Sequence, residues 1–226
     1  MGLRLLAGLI GALALPAGAE TITRAALVEP TTRYDHAVLG DAVEWGALRL
    51  DGPGGPVLVR LPETRVFEDV EARIVRLGPG TDAVLVVETD VARGASVVLY
   101  GADGARIAAT PFIGQKNRWY APVGAADFGG DGAVEIAYVD RPHLEKALVF
   151  ARVDGASLVA FARLPGLTNH RIGDSAISSG VRDCGAGDEV ILPSADWQDL
   201  MAATPKGARR LGPFSAKALK AALACR

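Results

Sequence analysis

Four turn signals at an even spacing constrain this chain more than any other feature of it. Asp51-Gly52, Asp103-Gly104, Asp154-Gly155 and Lys206-Gly207 set their glycines 52, 51 and 52 residues apart. Apolar or alternating stretches flank these pairs, 47–50 before the first and 96–100 before the second. That is the pattern of a tight β-hairpin in which glycine supplies a positive φ. A period near fifty predicts one supersecondary unit repeated four times.

A chain with 27 glycines can produce one such ladder by accident, so agreement with other positions matters. Arg65, Asn117 and Asn169 keep a step of 52, and each opens a polar-to-apolar segment. Leu61, Ile113 and Pro165 stand upstream of them in the same register. Apolar runs at 84–87, 136–139 and 190–192 follow at matching places. Short apolar runs between turn signals suit strands buried on both faces, so these are expected to be inner strands. A second strand such as 97–100, a third such as 106–109 and an extended segment near 119–125 complete the unit.

This predicts an all-β fold, a propeller-like array of about four blades. The first unit departs from the pattern, as terminal repeats do: its inner-strand position falls in Pro30-Thr31-Thr32. A strand within 22–28 is expected to pair with the last blade. At the other end Ser215 is placed to cap a short C-terminal helix over 216–223.

Residues 1–19 carry Arg4, the apolar run 5–15, Pro16 and the small residues Ala17-Gly18-Ala19, the layout of a secretory signal peptide cleaved before Glu20. The run is too short for a permanent anchor, and no integral membrane segment is expected after its removal. The remaining 207 residues approach four periods, so 20–226 reads as a single repeat domain, exported to the periplasm or beyond. Losing Arg4 moves the net charge only from −2 to −3 with both signs interspersed, which leaves no basic face for nucleic acid. In an oxidising compartment Cys184 and Cys225 are expected to form one disulfide.

One loop carries ligand chemistry. Across 127–135, Asp127, Asp131 and Glu135 occupy positions 1, 5 and 9, Gly132 permits a sharp turn, and the Ala133 carbonyl offers a further oxygen. Calcium takes such hard oxygen donors, while Gly129 brings none at position 3. The alternative is an acidic, glycine-rich turn with no metal. An EF-hand is excluded because its position 12 is Tyr138 in a strand-like segment.

These residues resemble the FG-GAP and VCBS repeat family, related to the N-terminal propeller of integrin α chains. Asp127, Asp131, Gly132 and Glu135 match its calcium loop, and Gly129 departs from it. The resemblance spans about residues 30–210 with one well-formed motif. It implies a propeller-like fold, weakly bound calcium as a structural ion, and a binding or scaffold role toward a protein or a glycan.

No catalytic constellation emerges. His36, His143 and His170 are the three histidines, and the serines near His170 lack a nucleophile-elbow pattern. His143, after Pro142, reads as an exposed loop residue, and Glu68, Asp69 and Glu71 as a solvated turn. Neither cysteine has a histidine at zinc-ligand spacing. If successive blade loops gather at one end, Arg65, Arg118, Trp119 and His170 line a shared mouth; the alternative places Trp119 in the core. The functional expectation is an exported, non-enzymatic binding module. The rival is a carbohydrate-active hydrolase or lyase using mouth carboxylates.

Overall fold

The computed structural model describes residues 21–40 and 42–226, so the segment read as an export signal lies outside it. The chain is mostly β. Its strands are β1 (Arg24–Thr31), β2 (Glu44–Asp51), β3 (Val57–Arg60), β4 (Arg65–Phe67), β5 (Arg73–Gly78), β6 (Thr81–Asp90), β7 (Gly94–Gly101) and β8 (Arg106–Ala109). They continue with β9 (Tyr120–Ala126), β10 (Glu135–Asp140), β11 (Ala147–Asp154), β12 (Ser157–Pro165), β13 (Gly180–Asp183), β14 (Asp188–Pro193), β15 (Asp199–Thr204) and β16 (Gly207–Pro213). One helix, α1 (Ala216–Leu223), ends the chain.

From β5 onward the strands form three antiparallel meanders of four: β5 to β8, β9 to β12 and β13 to β16. The ladder glycines 104 and 155 sit in the turn between the third and fourth strands of their meanders and Gly207 opens the fourth strand of the last, all with positive φ. A bulge recurs just before that turn, at Leu99/Tyr100, Phe150/Ala151 and Leu200/Met201. The inner runs fall in β6, β10 and β14, and all eleven of their residues are buried. Fully buried strands need apolar side chains on both faces, which is why these segments do not alternate.

Gly52 has another reason to be glycine. Its φ is not positive; a Cβ there would lie 2.6 Å from the Thr21 carbonyl oxygen. Close backbone approach, and not turn geometry, selects it.

The first unit is irregular in a way the sequence did not anticipate. Strand β1 pairs along its length with β2, from Arg24↔Asp51 to Thr31↔Glu44, and not with the last unit. That pairing sets Ala25 and Leu27 against the cluster of Leu48, Leu50 and Phe67. Burial of these side chains fixes the register. Strand β4 then bridges β2 to β6 through Trp45↔Phe67 and the Arg65-to-Phe67 pairing.

The large sheet runs β1-β2-β4-β6-β7-β8-β12-β11-β10-β9, with β3 on β2 and β5 on β6; β13 to β16 make a separate sheet. Neither sheet closes on itself among the described residues. Strands β8 and β12 meet at a single parallel pair, Ala109 and Ser157. Strand β9 lies against β5, β6, β7 and β13, and Trp119, immediately before it, is part of the largest buried cluster.

Ser215 caps α1 as expected, its Oγ accepting from the Ala218 N–H at 3.0 Å. The helix covers Ile191, Leu200 and Ala202 of the last sheet, and Leu223 packs over Gly180. The Cys184–Cys225 disulfide is formed and ties the chain end to the β13–β14 turn.

Candidate functional site

Four loops converge on Trp119. Residues 36 and 38 come from the β1–β2 loop, 117–119 from the segment entering β9, 141–144 from the β10–β11 turn and 172 from the β12–β13 loop. They enclose a pocket of about 310 Å³, at the small end of the roughly 300–1,000 Å³ usual for ligand sites. Asn117 sits at φ 56, a conformation asparagine tolerates better than most residues, and its N–H donates to the Tyr34 hydroxyl at 2.9 Å. That bond anchors the loop carrying Arg118 and Trp119.

Trp119 is both core and pocket wall. It is only 2% exposed, and its Nε1 donates to the Glu68 carbonyl at 2.7 Å. His143 lies near parallel to its ring and offset from it, 6.5 Å between centroids, while His170 meets it edge-on at 5.0 Å. The ladder positions 65, 117 and 169 thus lead into residues that touch one another around this indole.

Two of the histidines, His143 and His170, are linked. His170 Nε2 lies 2.8 Å from the Asp174 carbonyl, which only accepts, so that nitrogen carries the proton. His170 Nδ1 is then an acceptor, and His143 Nε2, 3.0 Å away, donates to it. Burial, reinforced by the neighbouring His170, pushes the His143 imidazole down to about 4, and burial lowers His170 as well. His36 Nδ1 contacts the Glu68 carboxylate, whose other oxygen accepts from Thr89 Oγ1 at 2.6 Å. Burial raises Glu68 above the usual carboxylate range.

Of the four residues expected at a shared mouth, Arg118 and Trp119 line the pocket, Trp119 being also part of the core, and His170 packs against Trp119 without lining it. Arg65 does not join them: its Nη1 binds Glu88 at 2.8 Å and its guanidinium lies over Phe112. Two other expectations are corrected. His143 is half-buried and not an exposed loop residue, and Glu68 and Asp69 are fully buried, with Asp69 held by Arg73 at 2.8 Å. Only Glu71 of that trio faces solvent. His36, Arg141, Leu144 and Ile172 were not legible as site residues because they lie on no ladder. The pocket lining contains no aspartate or glutamate.

The acidic loop between β9 and β10 brings Asp127, Asp131 and Glu135 together, with one oxygen from each within 4.8 Å of the others, close enough to share a metal ion. The donor set is already in use. Asp127 accepts from the N–H groups of Gly130, Asp131 and Gly132 at 2.7, 3.0 and 2.8 Å. Asp131 takes the Ala133 N–H at 3.1 Å and Arg152 Nη2 at 2.6 Å. The buried Glu135 takes the Gly129 N–H at 2.9 Å and Arg152 Nε at 2.9 Å. The bond from Ala133 and then that from Arg152 hold Asp131 below its ordinary value. A Cβ on Gly129 would lie 3.0 Å from Glu135 Oε1 and 3.2 Å from Arg152 Nη2. The residue that would carry the missing ligand is therefore kept small beside a guanidinium, and the residues as they stand do not fit a tightly held calcium.

No helix among the described residues is long and apolar enough to cross a membrane. No family model matches this chain, and no curated protein matches it.

Proposed function

We propose that this chain is an exported, non-catalytic binding module, a propeller-like repeat protein of the FG-GAP and VCBS kind, whose ligand enters the pocket over Trp119. The observation that carries this reading is the convergence on one indole of four loops from well-separated parts of the sequence. Propeller-type folds place their ligands where such loops meet, because the rigid strands behind them hold each loop in position. Leu144 and Ile172, 60% and 73% exposed, stand at the rim and supply apolar surface that a ligand would cover. The recurring hairpin and bulge support a tandem repeat across the three meanders from β5 onward, and the disulfide supports an oxidising compartment.

Calcium has a subordinate place in this proposal. An ion reaches the three carboxylates only by displacing Arg152, so binding at 127–135 is weak, on the order of millimolar. The rival glycosidase mechanism needs two carboxylates flanking the scissile bond, and nothing in the pocket lining favours it.

Native mass spectrometry of the disulfide-intact protein after exposure to fractionated envelope extract tests the site. The wild type should retain adducts that a Leu144→Arg/Ile172→Arg variant does not. Equal adducts on both proteins, or none on either, would overturn the assignment.

A further inference from the structure

We infer that the pocket over Trp119 binds an aliphatic carboxylate, its charged end on Arg118 and its hydrocarbon part among Val38, Pro142, Leu144 and Ile172. This rests on the proposal that the pocket is the ligand site, and it names the chemistry that site selects.

Arg118 carries the argument. It is half-buried in the pocket wall, its Nη1 donates to the Asn117 carbonyl at 2.8 Å, and among the described residues it has no carboxylate partner. Other arginines around it differ: Arg65 holds Glu88, Arg93 holds Asp90, and Arg141 holds Asp140 through two bonds at 2.8 and 3.1 Å. A partly desolvated guanidinium without a counter-ion is a standing cost that a bound anion removes, and its planar fork of N–H donors matches a carboxylate.

The surrounding charges set the valence. Arg141 and Arg163 together share Asp140 and Glu145, His36 is paired with Glu68, and His143 is held neutral by burial. One uncompensated positive charge remains, which suits a monoanion better than a phosphate dianion. Val38, Pro142, Leu144 and Ile172 make up the aliphatic part of the wall, and Trp119, only 2% exposed, offers no open indole face on which a sugar ring could stack. A carboxylate with a short branched chain matches both halves. A free acid and the C-terminal residue of a polypeptide present this same chemistry.

Isothermal titration of the disulfide-intact protein with isovalerate, isovaleramide, sulfate, acetyl-Ala-Leu and the amide of that peptide separates the possibilities. At least one acid should bind, with its matched amide at least about tenfold weaker because the charge-assisted bond is lost. Tighter binding of isovalerate points to a free acid, and tighter binding of acetyl-Ala-Leu to a chain terminus. Arg118→Gln should abolish acid binding with an unchanged circular dichroism spectrum, and Arg118→Lys should restore part of it. Amides that bind as well as acids, sulfate that displaces the acid, normal binding by Arg118→Gln, or no binding by any probe would overturn the inference. If no probe binds while the wild type still retains rim-dependent adducts from envelope extract, the carboxylate assignment fails and the pocket stands; loss of both removes both.

Discussion

Arg152 shows how one side chain can take over the work of an ion. Its guanidinium bridges Glu135, which is fully buried, and Asp131, which is exposed, while Phe161 lies 4.7 Å from its charged carbon. The carboxylate of Glu135 raises the arginine further above its already high value. Removing this partner strands a buried carboxylate, so Arg152→Gln should lose about 2 kcal/mol in a denaturant titration without calcium. With millimolar calcium the same variant should recover thermal stability, whereas the wild type gains less; an equal calcium shift in both proteins would show that Arg152 does not compete for the site. The spacing of Asp127, Asp131 and Glu135 made the cluster legible in the sequence. The occupant was not legible, because Arg152 lies seventeen residues downstream and reaches Glu135 only through the pairing of β10 with β11.

At the scale of elements, three of the four hairpin glycines, the inner apolar runs and the Ser215 cap were readable because each is set by local geometry: a positive φ, burial on two faces, an orphan N–H. The partner of β1 was not readable, since pairing between strands depends on which edge is free once everything else has folded. Helix α1 depends on a tertiary tether in the same way. Eight residues are too few to stay helical alone, and Arg182 Nη1 bonding to the Ala222 carbonyl at 2.8 Å is joined by the Cys184–Cys225 link across a sequence separation of 41. Replacing both cysteines with serine should cost up to about 4 kcal/mol on the chain-entropy model. Amide exchange should show α1 losing protection before the strands of the last sheet; uniform loss across the molecule would contradict a local tether.

Across the whole molecule, the three histidines join loops that the sequence keeps far apart, and they make assembly sensitive to acid. The folded state holds His143 down to about 4, whereas the unfolded chain protonates it near its ordinary 6.5. Between these values the unfolded state binds the extra proton, so this residue's contribution favours folding at neutral pH and is lost as pH falls toward 4. Glu68 and Asp69 act in the opposite sense, since burial raises both and acidification relieves them. Comparing wild type with His143→Asn from pH 7 to 4.5 isolates the first effect: the wild type should lose more stability than the variant, and parallel curves would refute it. The ladder through residues 65, 117 and 169 hinted at this hub, but only the folded arrangement shows that Trp119 and not an acidic pair is its centre. The lone rung between Ala109 and Ser157 has a mechanical corollary. Backbone bonding there amounts to one rung, so a force that separates the two halves of the great sheet works chiefly against the side-chain packing of β9 on β5, β6 and β7.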